Sequence, residues 1–183
     1  MRRIVFFILS VFSILFFVPD AKADSPEPNL KVIRKQLRVA INSSETTDSL
    51  YKSLSAMKSR SGIIDGFIAG LQALKAKHAW NPYSKIKYIK NCEKTFEKAI
   101  AADPENIEIR FMRFSVEDSV PKFLGYNKNL NSDSQEIIAQ LDKKNYGTAD
   151  RELTIEIIKF LVNSRRCTPT QIAELNKHLA TFK

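Results

Sequence analysis

Residues 61–103, SGIIDGFIAGLQALKAKHAWNPYSKIKYIKNCEKTFEKAIAAD, decide the fold. Ile64, Phe67, Ile68, Leu71, Leu74 and His78 recur three or four residues apart, and so do Ile86, Ile89, Cys92, Phe96, Ala99 and Ile100. That spacing gathers each set on one face of a helix. Between them stands Asn81-Pro82, a capping side chain followed by a residue whose missing N–H costs nothing at a helix start. Two helices joined by a tight break are predicted. Gly62, Gly66 and Gly70 lie at four-residue intervals, each costing a helix roughly 1 kcal/mol relative to alanine, so a closely packed neighbour is expected there. Asp65, Gln72, Lys75 and Lys77 on the same segment exclude a lipid-embedded GxxxG pair.

The same periodicity extends in both directions. Ile33, Leu37 and Ile41 form one stripe, and Leu50, Leu54 and Met57 another. Ile137, Ile138 and Leu141 follow Ser132, and Ile172, Leu175, Leu179 and Phe182 close the chain. Leu153 to Val162 is apolar on most sides and is expected to be the most buried helix of the second half. No segment alternates with a period of two. The fold class is all-α: stacked helical hairpins, about seven helices in a single domain over residues 24–183. Capping signals place helix starts near residues 82, 104, 133 and 169, with capping boxes at Ser132/Gln135 and Thr168/Gln171. Gly147-Thr148 separates two further helices, and Asp24 to Asn29 reads as a short extended leader.

The first 23 residues have the pattern of an export signal. Arg2 and Arg3 precede an uncharged run from Ile4 to Val18; Pro19 breaks it, and Ala21-Lys22-Ala23 offers small residues for cleavage before Asp24. Fifteen apolar residues fall short of the ~20 that span a bilayer. Removing 23 of 183 residues leaves 160. The leader carries three of the 29 basic and one of the 20 acidic residues, so 26 and 19 remain, a net of +7. The expected location is the periplasm or the exterior, with membrane contact only through the signal before cleavage. No block of five or six like charges occurs, so nucleic acid is not an expected partner.

The chemistry-bearing motifs are few. There is no phosphate-binding glycine loop, no G-x-S-x-G and no H-E-x-x-H. His78 and His178 are 100 residues apart and read as structural. No catalytic residue, metal site or cofactor is assigned, and an enzyme is not expected. Cys92 and Cys167 leave two readings open: a disulfide, which an oxidising compartment permits, or free thiols. In the second, Cys92 is a compact core residue and Cys167 is activated beside Arg165 and Arg166. Aromatic and arginine residues, which dominate binding hot spots, supply the candidate partner surface. Phe123 and Tyr126 flank Leu124-Gly125 after the helix-breaking Pro121, while Arg110 and Arg113 share a helix face. Trp80 and Tyr83 surround the Asn81-Pro82 break. Each of these aromatics reads either as a partner contact or as a loop folding back onto its own helices.

Cys92-x-x-x-Phe96-x-x-Ala99 followed by Asp103-Pro104 resembles the second helix of a tetratricopeptide repeat. The likeness covers about 15 residues of a helix pair near 61–103, and the Asn81-Pro82 break departs from the repeat's first helix. A longer stretch resembles a family of exported helical proteins from Bacteroidota with no established activity. It runs through Trp80-Asn81-Pro82-Tyr83-Ser84-Lys85, Asp103 to Phe111, and Pro121-Lys122-Phe123-Leu124-Gly125-Tyr126. The resemblance implies a Gram-negative envelope and a helical fold, and carries over no catalytic residue. Helix pairs stacked side by side expose grooves used for recognition. The expected function is therefore an envelope adaptor that binds a protein or peptide. The alternative is a carrier or binder of anionic lipid or polysaccharide through the basic surface.

Overall fold

The computed structural model describes residues 28–182; the side chain of Lys122 is not among the described groups. The stretch read as an export signal and most of the expected extended leader lie outside this range. The described residues form eight α-helices: α1 (Leu30–Ala40), α2 (Ser44–Ser55), α3 (Gly62–His78), α4 (Pro82–Ala102), α5 (Ile107–Ser119), α6 (Leu130–Asp142), α7 (Arg151–Asn163) and α8 (Pro169–Thr181). A single 3-10 turn, Lys122–Leu124, follows α5. The protein is all-α, as the periodicity predicts, with one helix more than expected.

Local capping fixes most starts. Asn81 Oδ1 accepts from Ser84 N at 2.8 Å with Pro82 in the first helical position, and Thr168/Gln171 form the reciprocal box. Two starts differ from expectation. Asp103 ends α4 instead of opening α5; its carboxylate accepts from Asn106 Nδ2 at 2.9 Å. Asn106 Oδ1 in turn accepts from the amides of Glu108 and Ile109 and so starts α5 at Ile107. Likewise, α6 begins at Leu130, and Ser132 donates its hydroxyl to Asn129 O instead of capping. Glu117, reaching across from α5, holds the Asn129 backbone and side-chain amides at 2.8 and 2.6 Å and so sets that start.

The core divides into two clusters. The first joins α1 to α4 with Ile109 and Met112 of α5. The second joins α6, α7 and α8 with Ile107 and Phe114 of α5. One helix thus offers one face to each half. A buried latch reinforces the junction. Arg34 of α1 clamps the Glu108 carboxylate with two bonds of 2.7 Å and reaches Thr148 O at 2.8 Å, while Thr148 Oγ1 donates to Glu108. In the second half, α6 buries more side chains than α7, contrary to expectation. Helix α7 packs on α8 and turns Glu156 and Lys159 to solvent, leaving Leu153, Phe160 and Val162 half-buried.

Candidate functional site

Three glycines at equal spacing on α3 meet three different surroundings. A methyl group on Gly62 would stand 3.0 Å from the Ala99 carbonyl oxygen and 3.0 Å from Asp103 Cβ. On Gly66 it would meet Met112 Cε at 2.9 Å and Ile109 of α5. These two serve close packing, as the sequence implies. Gly70 does not: nothing lies within 4 Å of the place where its Cβ would be. It lies instead on an open groove of about 970 Å³.

Helices α1, α3, α4 and α5 build most of the walls, and Phe160 of α7 adds to them. Leu37 of α1 and Ile41, which caps that helix, stand on one side, and Ala73, Leu74 and Lys77 extend the α3 wall beyond Gly70. From α4 come Pro82, Lys85, Ile86 and Ile89, the open half of a stripe whose other half, Cys92 to Ala99, is buried in the first cluster. Helix α5 adds Met112, Val116 and Ser119, and the chain beyond it overhangs the groove with Val120, Phe123 and Leu124. The lining contains no carboxylate and no imidazole. Its two hydroxyls, Ser115 and Ser119, each donate to a carbonyl of their own helix.

Both cations of the lining sit at one end. Lys77 Nζ donates to Ile41 O at 2.7 Å, and Lys85 Nζ to Ala76 O and Lys77 O at 3.2 and 3.3 Å. These carbonyls belong to the C-terminal ends of α1 and α3, where helix dipoles favour positive charge. His78 also serves there, its Nε2 3.0 Å from Ala40 O.

The residues singled out in sequence are dispersed. Arg110 and Arg113 are not available to a partner, which corrects that assignment. Both engage Asp133 of α6, which is fully buried; Arg113 does so through two bonds of 2.7 and 2.6 Å and Arg110 through one of 3.1 Å. Their shared face points inward because α6 supplies the counter-charge. Phe123 is 86% exposed at the groove's edge, whereas Tyr126 is half-buried and lines a small cavity together with Cys92, Phe96 and Glu117. The loop that carries both is held down by Lys128 on Glu93 at 2.5 Å and by Asn129 on Glu117. Burial is the largest influence on Glu117 and raises its pKa despite the two amides it accepts from. Trp80 is 90% exposed beside a smaller cleft of about 250 Å³ that Lys75, Asp48 and Tyr88 also line, and Tyr83 projects from the first turn of α4. His178 pairs with Asp142 at 2.9 Å.

The cysteines are both free thiols, and the disulfide reading is set aside. Cys92 belongs to the first cluster and Cys167 packs against the second. Burial pushes the Cys92 thiol up to about 12. Cys167 also moves upward, because burial outweighs its hydrogen bonds to Ser134 and Ser164. Activation by the neighbouring arginines is therefore not found; Arg166 is turned to Asp118 at 2.5 Å.

The sequence places Leu37, Leu74, Ile86 and Ile89 on apolar helix stripes, and spacing alone does not tell that these positions line a groove. No family model, curated protein or solved structure matches this chain.

Proposed function

We propose that this protein is a non-catalytic binding protein of the cell envelope, exported by its N-terminal segment, that shelters an apolar ligand in the groove between α1, α3, α4 and α5. The groove carries this reading. Its volume lies at the upper end of the ~300–1,000 Å³ typical of small-molecule sites. Its lining has hydrocarbon where a ligand chain would lie and two cations at one end. The self-satisfied hydroxyls and the lack of a lining carboxylate or imidazole favour holding a ligand over transforming one.

The test is fluorescence of an uncharged naphthylamine probe, which brightens in apolar surroundings. Protein recovered from expression of the full chain is expected to enhance and blue-shift it. Gly70→Trp, which fills open space, is expected to abolish the enhancement while the thermal transition is kept. A silent wild-type protein, or equal binding by the variant, overturns the reading.

A second reading, the protein- or peptide-binding adaptor with tetratricopeptide-like helix pairing, is favoured by Trp80 and Tyr83, which stand exposed on the turn beside the lysine end of the groove. Crosslinking in cells with Trp80→Ala and Tyr83→Ala checks it: one dominant envelope partner, lost in the double variant, would support it.

A further inference from the structure

We infer that the occupant of the groove is a monomeric long-chain carboxylate, its acyl chain along the apolar walls and its head group on Lys77 and Lys85. This rests on the groove reading proposed above and adds the ligand's charge and orientation.

Four of the described lysines pair with carboxylates, Lys75 with Asp48, Lys98 with Asp65, Lys128 with Glu93 and Lys143 with Glu105, and most others have no such partner. Among the described residues Lys77 and Lys85 form no such pair and bond only to carbonyl oxygens. The C-terminus of a helix carries roughly half a negative charge. Two full ammonium charges therefore exceed what the ends of α1 and α3 can neutralise, and the groove lining supplies no acid. The surplus is positive and sits where hydrocarbon begins. Each ammonium has three N–H donors; Lys77 uses one and Lys85 two on the carbonyls named, so donors remain for an anion.

Orientation follows from the hairpin. Helices α3 and α4 are antiparallel, so Lys77, Pro82 and Lys85 mark one end of the groove, and Gly70, Ile89 and Met112 the other. A chain entering from the lysine end meets Leu74 and Ile86, then the space that the missing Gly70 side chain leaves open. A single unbranched chain satisfies both features. Lys77 and Lys85 are exposed and solvated, so an anionic head group adds an attraction that a neutral chain lacks, and a cationic one would be repelled.

Displacement of the naphthylamine probe tests the inference. Palmitate, hexadecanol and hexadecyltrimethylammonium, each below its micellar concentration, are compared at low salt. Palmitate is expected to displace the probe at least tenfold more effectively than the other two, with the advantage shrinking as salt screens the lysines. Lys77→Gln with Lys85→Gln is expected to bring palmitate down to the level of hexadecanol while probe binding is retained. Equal displacement by palmitate and hexadecanol overturns the inference and leaves the groove reading standing. Failure of the probe to bind overturns the groove reading itself. Binding to anionic vesicles without displacement by palmitate also overturns the inference and points to a membrane surface. Should the double lysine variant fail to fold, the ligand series and its salt dependence on the wild-type protein decide alone.

Discussion

Gly62 and Gly70 are two turns apart on the same helix and look alike in sequence, yet one is walled in by α4 and the other opens onto a groove. The contrast extends beyond the glycines. Around Gly62 and throughout the second cluster, side chains are sealed and polar groups are matched, as in the Arg110–Asp133–Arg113 triad. Around Gly70 the same kinds of residue, at the same helical spacing, pack against the first cluster on one side and line an open groove on the other. A small residue in a helix thus marks either a close neighbour or a missing one. Which of the two holds is a property of the elements across from it, not of the helix that carries it.

The largest expected effect lies in the sealed region. Asp133→Ala strands two partly buried guanidinium groups and should cost about 3–5 kcal/mol, read by denaturant unfolding. Gly62→Val comes next: its Cβ would meet a backbone carbonyl that cannot step aside, and overpacking of this kind costs roughly 1–3 kcal/mol. Gly70→Ala should have the opposite sign, since open space admits the methyl group and the helix gains about 1 kcal/mol; equal destabilisation at both glycines would break the comparison.

A smaller effect falls at the border of the two regions, on Glu117. Its pKa is raised in the folded protein, so the folded state holds the proton more tightly than the unfolded chain. The stability linked to this group is therefore greatest in acid and declines as pH rises from the ordinary value near 4.5 through the raised one. Glu117→Gln should flatten that decline in a series of melts across the acid range. Smallest of all, thiol titration of the native protein should be slow at both positions, with half-buried Cys167 ahead of Cys92.

What was legible in sequence is what depends on neighbours along the chain. The Asn81-Pro82 and Thr168-Pro169 starts were readable because cap and capped amide are three residues apart. The starts of α5 and α6 were not, because the choice among competing caps was made by Asn106 against Asp103 and by Glu117 from another helix. Arg110 and Arg113 show the same limit: their common face followed from spacing, while the buried acid that claims them is 20 and 23 residues away. The groove was hidden most thoroughly. An apolar stripe announces that a face favours burial, but nothing in Ile86 or Ile89 tells that the neighbouring helices leave it on an open groove, with Ile86 43% exposed.

The division of α5 between the two clusters has a kinetic consequence. Ile109 and Met112 belong to one cluster, Ile107 and Phe114 to the other, and Glu108 between them is latched to both α1 and the segment before α7. Neither half can open without baring one side of this helix. Its amides should therefore exchange with deuterium only through whole-molecule opening, at the slowest rate in the chain. The halves should melt in one calorimetric transition, so that whatever occupies the groove in the first half would slow exchange in the second as well.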